Sequence, residues 1–108
     1  MISQILPQQL KDKLDAGESV VLIDVRQPEE YAICHLAGSQ LIPLGELNHR
    51  ASEVEVPAGA SLVVYCHHGV RSLSGAGLLA QAGHPQVYSL AGGIDAWSRL
   101  IDSSVRRY

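Results

Sequence analysis

The sequence predicts an α/β domain built on a mainly parallel sheet of about five strands, with helices on both faces. Short apolar runs alternate with runs of helical character from one end of the chain to the other. The clearest strands, residues 20–23 and 61–65, are continuously apolar or nearly so, which is typical of strands that are covered on both faces. Glycine or proline stands at most junctions between the runs and marks where elements begin or end.

Each predicted element has a local reason. Pro7 and Pro28 suit the first turns of helices, because the N–H that proline lacks would have no partner there. Gly17 and Gly83 suit the positions just after helices. Gly75 and Gly77 weaken the helix that contains them, so we expect them to allow close approach of that helix to the sheet or to its neighbour. The predicted strands span residues 3–6, 20–23, 40–42, 61–65 and 86–90, and the predicted helices span residues 7–16, 28–33, 44–51, 71–82 and 94–101.

Length and composition limit the classes of protein that fit. The 108 residues suffice for one domain, 1–108, in which we expect residues 103–108 to form a loose tail. The net charge is −3 and the basic pair Arg106-Arg107 stands alone, so nucleic acid is not an expected partner. No apolar stretch approaches the ~18 residues of a membrane span, so a membrane is not an expected partner either. Two cysteines and no visible signal peptide predict a reducing, cytoplasmic location.

The functional prediction centres on the stretch from Tyr65 to Ser72. Cys66 follows the best strand, and Arg71 comes five residues later at the expected start of a helix. A loop of successive backbone N–H groups, a helix N-terminus and an arginine all favour an anion beside the sulfur. Thiolate is the reactive form of cysteine, so this loop suits nucleophilic chemistry. The residues alone also allow a simpler interpretation, in which Cys66 is a buried thiol and Arg71 a surface residue.

Four motifs in order resemble those of the rhodanese-like (thiosulfate sulfurtransferase) domains. The resemblance covers nearly the whole chain, including the loop, and four motifs are far more specific than one. They are Leu22-Ile23-Asp24-Val25-Arg26 with Pro28-Glu29-Glu30-Tyr31, His35-Leu36-Ala37-Gly38 with Ile42-Pro43, Val64-Tyr65-Cys66 with Gly69-Val70-Arg71-Ser72, and Leu90-Ala91-Gly92-Gly93-Ile94 with Trp97.

The resemblance implies a rhodanese-like fold and a sulfurtransferase in which Cys66 carries sulfur as a persulfide. Expected partners are a small donor such as thiosulfate or a persulfide, and a thiol, cyanide or a sulfur-carrier protein as acceptor. Neither a metal nor an organic cofactor is implied. The residues expected to bind the donor are His67, His68, Gly69, Val70, Arg71 and Ser72.

Two other functions share this fold. One is a regulatory or binding module that transfers no sulfur, against which the intact Cys66 and Arg71 argue. The other is a phosphatase or arsenate reductase, whose loops in related proteins hold five residues between cysteine and arginine. This chain has four, which favours sulfur transfer.

Several residues near the loop keep two interpretations. The side chains of His67 and His68 either attract anionic donors or point to solvent, leaving only their N–H groups in use. Cys34 is either a second sulfur-handling thiol or a packed bystander, and neither cysteine–histidine pair has a recognised zinc spacing. Asp24 and Arg26, at a strand end, either line the site or, as the resemblance implies, mainly brace the neighbouring loops.

Overall fold

The computed structural model describes all 108 residues and contains five strands and five α-helices. Each end lies within one residue of its predicted position. The strands are β1 (Ile2–Ile5), β2 (Val20–Asp24), β3 (Gln40–Leu41), β4 (Ser61–Tyr65) and β5 (Val87–Leu90). The helices are α1 (Pro7–Asp15), α2 (Pro28–Ile33), α3 (Leu44–Arg50), α4 (Val70–Gln81) and α5 (Gly93–Leu100), with a 3-10 turn at Ala51–Glu53.

The strands form one sheet in the order β1-β5-β4-β2-β3, and every neighbouring pair is parallel. The two continuously apolar runs lie side by side, paired from Val20 opposite Ser61 to Asp24 opposite Tyr65. Strands β1 and β3 take the edges, where a short or partly polar strand costs least. The predicted α/β class with a parallel sheet of five strands is confirmed.

Helices cover both faces of the sheet and bury two apolar groups. Helices α3 and α4 contribute Leu47 and Leu79 to the first group, and α1 and α5 contribute Leu10 and Trp97 to the second. None of the helices has the length and apolarity needed to cross a membrane.

Gly75 allows α4 to lie close to the sheet. A Cβ atom at this position would come within 3.2 Å of Val25 Cγ1 and 3.3 Å of Val64 Cγ1. Contacts that short would require the neighbouring side chains to move, so the predicted role of Gly75 is confirmed. At Gly77 an added Cβ atom would lie 3.9 Å from Ile2 Cδ1, an ordinary contact, so the same prediction is wrong there. The carboxyl ends of the strands all meet at one edge of the sheet, where crevices of α/β folds bind ligands. Cys66 stands at this edge, directly after β4.

Candidate active site

The loop that follows β4 turns sharply at Gly69 and leads straight into α4. Gly69 has φ 101°, a left-handed conformation that glycine adopts without a Cβ penalty. A Cβ atom there would also lie 3.2 Å from the backbone nitrogen of Gly92 and 3.4 Å from the carbonyl oxygen of Leu90. Both the conformation and the space therefore require glycine at this turn.

The sulfur of Cys66 accepts hydrogen bonds from the loop that surrounds it. The N–H groups of Gly69 and Ser72 donate to Cys66 Sγ at 3.1 Å and 3.3 Å, whereas the Cys66 thiol is the donor in its 3.6 Å contact with Ser72 Oγ. Cys66 itself is only 1% exposed. Two N–H donors at the N-terminal end of α4 are thus aimed at this sulfur.

Ser72 is held in place by its hydroxyl as well as by its helix. Its Oγ donates to the carbonyl oxygen of Gly69 at 3.1 Å and shares a 2.7 Å hydrogen bond with Ser89 Oγ on β5. Both serines are buried. This network ties the first turn of α4 to the sheet beneath the sulfur.

The start of α5 holds the other side of the loop. The N–H of Ile94 donates to the Cys66 carbonyl at 2.9 Å, and the N–H of Asp95 donates to the His67 carbonyl at 3.1 Å. These bonds occupy the loop carbonyls, whereas the N–H groups of His67 and His68 donate to no acceptor within the protein. The loop therefore offers free donors to an anion, as expected from its sequence.

Gly93 makes that close contact possible. Its φ is 62°, and a Cβ atom at this position would lie 2.5 Å from the Cys66 carbonyl oxygen and would also meet the carbonyl of His67. From the sequence, Gly93 is placed only between the predicted strand 86–90 and the predicted helix 94–101. The signal that was available is the pair Gly92-Gly93 directly before a helix, which marks a backbone approach that side chains would block.

Arg71 lies at the rim of the loop in an ion pair with Glu30. Its Nη1 and Nη2 atoms donate to the two carboxylate oxygens of Glu30 at 2.7 Å and 3.0 Å. This pair holds the pKa of Glu30 down to about 2 and raises that of Arg71. Three of the five N–H donors of the guanidinium remain free of this pair. Sequence reasoning missed Glu30, because its place in the first turn of α2 already explained an acidic residue.

Tyr108 packs against the site, although a loose tail was expected over residues 103–108. Its hydroxyl donates to Glu30 Oε2 at 2.7 Å and accepts from Arg26 Nη1 at 2.8 Å. Its ring stacks on that of His67, with centroids 4.0 Å apart and planes 9° apart. Burial raises the pKa of Tyr108 to about 12. A tyrosine suits this partly exposed position, because its ring packs while its hydroxyl forms hydrogen bonds, and these contacts anchor the end of the polar tail.

Asp24 and Arg26 form a fully buried ion pair beneath these residues. Arg26 Nη2 and Nε donate to the Asp24 carboxylate at 2.7–3.1 Å, and both side chains are 0% exposed. Arg26 Nη2 also donates to the carbonyl oxygen of Cys34 at 2.6 Å. The pair therefore ties the end of β2 to the segment after α2, which confirms the expected bracing role.

The two histidines lie on the outer side of the loop. His67 is sandwiched between the rings of His68 and Tyr108, and burial lowers its pKa. The His68 side chain is 63% exposed, and its Nε2 atom lies 4.0 Å from Asp95 Oδ2. Ligating atoms of His67, His68 and Asp95 lie within 4.8 Å of one another. However, guanidinium groups already occupy both oxygens of Asp95, at 3.0 Å and 3.1 Å.

The predicted residues thus fall into three groups around Cys66. Gly69 and Ser72 direct N–H groups at the sulfur, and Arg71 stands at the rim with Glu30. The third group lies away from the sulfur: His67 is half-buried between the rings of His68 and Tyr108, and the side chains of His68 and Val70 are exposed.

Cys34 lies apart from this loop. It is half-buried, with its sulfur 4.0 Å from Arg26 Nη1, and it lines a largely apolar groove of about 540 Å³ beside Trp97. No residue of the loop 66–72 lines that groove. Cys34 therefore packs beneath α2 rather than among the donors around Cys66.

Comparison with known proteins gives a consistent result. The sequence model of the "Rhodanese-like domain" matches residues 6–100. The chain is 38% identical to "Probable adenylyltransferase/sulfurtransferase MoeZ" of Mycobacterium tuberculosis over 98% of its own length, but spans 27% of that longer relative. It is also 38% identical to "Thiosulfate sulfurtransferase GlpE" of Pseudomonas aeruginosa, over 87% of this chain and 82% of the relative.

A solved structure has the same fold along its whole length. The crystal structure of a rhodanese-like domain protein from Staphylococcus aureus superposes with a TM-score of 0.80, at 27% identity, and covers 100% of this chain and 99% of that one. The matched residues 6–100 include all four motifs on which the resemblance was based. On these grounds the chain belongs to the rhodanese-like domain family.

Proposed function

We propose that this chain is a sulfurtransferase that carries sulfane sulfur as a persulfide on Cys66. The observation that supports this most directly is the pair of N–H donors, from Gly69 and Ser72, aimed at Cys66 Sγ at 3.1 Å and 3.3 Å. Fixed donors of this kind stabilise the negative charge that develops on sulfur during transfer. The names of the GlpE and MoeZ relatives, both sulfurtransferases, agree with this assignment.

The first half of the proposed reaction loads the cysteine. The Cys66 thiolate attacks the outer sulfur of thiosulfate, so that a bond forms between Sγ and that sulfur. The sulfur–sulfur bond of thiosulfate breaks, and sulfite leaves with its electron pair. The free N–H donors of Arg71 and of the His67-His68 backbone are available to the sulfonate oxygens.

The second half returns the enzyme to its starting state. A nucleophilic acceptor, cyanide in an assay or a thiolate in the cell, attacks the outer sulfur of the persulfide. The bond between the two sulfurs breaks, and the electron pair returns to Sγ as the thiolate. Neither half needs a redox partner, because the sulfane sulfur passes from one nucleophile to the next without net oxidation or reduction.

The same loop argues against the rival functions. A module that only binds partners has no need of two N–H donors directed at a buried thiol. A loop with four residues between Cys66 and Arg71 is shorter than the five-residue loops implied for phosphatases and arsenate reductases, and suits a sulfane sulfur better than a tetrahedral oxyanion. Thiosulfate or a persulfide is therefore the proposed donor. The proposed acceptor is a thiol or a sulfur-carrier protein. The proposed location is the cytoplasm.

Thiocyanate production from thiosulfate and cyanide tests the proposal. We expect activity in the wild type and none in Cys66→Ser, because a hydroxyl cannot carry the sulfur. Cys34→Ser is the matched control and should retain activity within about twofold, since Cys34 lies outside the loop. Undiminished activity in Cys66→Ser would refute the proposal, as would hydrolysis of an aryl phosphate in place of sulfur transfer.

A further inference from the structure

We propose that Tyr108 is a positioning residue for Arg71, acting through Glu30 to hold the guanidinium where it meets the sulfur donor. This inference rests on the proposed function of the Cys66 loop. It assigns a role to the tail that neither the loop motif nor the catalytic cysteine requires.

A continuous set of polar contacts joins the sheet to Arg71. Asp24 holds Arg26, Arg26 Nη1 donates to the Tyr108 hydroxyl at 2.8 Å, and that hydroxyl donates to Glu30 Oε2 at 2.7 Å. Glu30 in turn binds both terminal nitrogens of Arg71, at 2.7 Å and 3.0 Å. Arg26 Nη1 also donates to the backbone carbonyl oxygen of Glu30 at 3.4 Å, but Tyr108 is what connects Arg26 to the Glu30 carboxylate that binds Arg71.

The two ends of this set differ in rigidity. The Asp24 and Arg26 side chains are fully buried, whereas the Arg71 side chain is 35% exposed and Glu30 is 19% exposed. A half-exposed arginine samples several rotamers unless its partner is itself fixed. Tyr108 is itself 40% exposed, but its hydroxyl is bonded to the buried Arg26 and its ring is stacked on His67. The contact through Tyr108 therefore gives Glu30 a neighbour that is held in place, and thereby restricts Arg71.

The hydroxyl, rather than the ring, makes the connection. Glu30 Oε1 also accepts from the N–H of Gln27 at 3.0 Å, while Oε2 has the Tyr108 hydroxyl as its only donor besides Arg71. The Tyr108 pKa of about 12 keeps this hydroxyl protonated at neutral pH, where it remains a donor. The stack on His67 is independent of the hydroxyl, so Tyr108→Phe removes the two hydrogen bonds of the hydroxyl, to Glu30 and from Arg26, and leaves the ring in place.

Steady-state kinetics of Tyr108→Phe test the proposal. The two half-reactions have separate values of kcat/KM, one for thiosulfate and one for cyanide. We expect kcat/KM for thiosulfate to fall by about 3- to 10-fold, because Arg71 meets the sulfonate less often, and kcat/KM for cyanide to stay within about twofold. A general loosening of the fold would lower both values together.

Tyr88→Phe is the matched control. Tyr88 lies on β5, and its hydroxyl makes no hydrogen bond in the protein, so this change deletes the same atom without touching the Glu30–Arg71 pair. The proposal is overturned if Tyr108→Phe matches Tyr88→Phe in kcat/KM for thiosulfate. It is also overturned if kcat/KM for thiosulfate rises in Tyr108→Phe, which would mean that Tyr108 keeps Arg71 away from the donor.

Carboxyl NMR of Glu30 gives a readout that needs no turnover. Loss of the Tyr108 hydroxyl should raise the pKa of Glu30, and Tyr88→Phe should leave it unchanged. An unchanged Glu30 titration in Tyr108→Phe overturns the link from Tyr108 to Glu30. A wild type that accepts no sulfur would instead refute the proposed function, and the titration would still decide this link.

Discussion

Gly93→Ala should destabilise the protein and disable the Cys66 loop together. A left-handed backbone costs alanine about 1–2 kcal/mol relative to glycine. In addition, the new Cβ would lie 2.5 Å from the Cys66 carbonyl oxygen and would meet the carbonyl of His67, and overpacking of this kind costs about 1–3 kcal/mol. We therefore expect the free energy of unfolding, measured in urea, to fall by about 2–5 kcal/mol.

The same clash should slow formation of the persulfide by at least about tenfold, because the loop must shift and its N–H donors move away from the sulfur. Gly17→Ala is the matched control, since Gly17 has φ 72° and no atom within 4 Å of an added Cβ. It should lose only the backbone cost of about 1–2 kcal/mol and keep its activity. Equal losses of stability in the two variants, with normal sulfur transfer by Gly93→Ala, would refute this account of the loop.

Two further predictions concern the polar contacts of the site. Ser72→Ala should lower the free energy of unfolding, measured in urea, by about 1–3 kcal/mol, because it leaves the buried Ser89 hydroxyl unpaired. The double variant Ser72→Ala with Ser89→Ala should recover part of that lost stability. Sulfur transfer should survive both changes, because the Ser72 donor to Cys66 is a backbone N–H; a loss above about 100-fold would contradict this. Because the folded pKa of Glu30 is about 2, against its ordinary value of 4.5, its pair with Arg71 stabilises the fold above pH 4.5 and is lost as the pH falls toward 2. The stability difference between wild type and Glu30→Gln should therefore narrow over that range, and a constant difference would contradict the assignment.

Local sequence signals were sufficient to predict the fold and the loop around Cys66. Proline at the first turns, glycine after helices and continuous apolar strands act over a few residues, so the element ends could be predicted closely. The cradle around Cys66 is likewise local, because Gly69 and Ser72 reach the sulfur from three and six residues away.

The rim of the site depends on contacts that the sequence does not reveal. Glu30 is 41 residues from Arg71, and Tyr108 is 78 residues from Glu30. Nothing near either residue indicates its partner: Glu30 fits the first turn of a helix, and Tyr108 ends a polar tail. Only the folded arrangement at the carboxyl edge of the sheet brings them together, since parallel strands deliver distant segments to the same edge.

Gly93 illustrates an intermediate case. The Gly92-Gly93 pair is visible in the sequence and predicts an unusual backbone, yet its purpose depends on which segment lies against it. In the folded protein that segment is the Cys66–His67 backbone, which accepts two hydrogen bonds from the start of α5. Sequence patterns thus located this turn but not its connection to the Cys66 loop.

Intact mass spectrometry after incubation with thiosulfate tests the central claim most directly. The wild type and Cys34→Ser should each gain the mass of one sulfur, peptide mapping should locate it on Cys66, and addition of cyanide should remove it. Cys66→Ser should gain nothing. A wild type that gains no sulfur from thiosulfate or from a cysteine persulfide, or sulfur found on Cys34 instead, would contradict the assignment of Cys66 as the sulfur carrier.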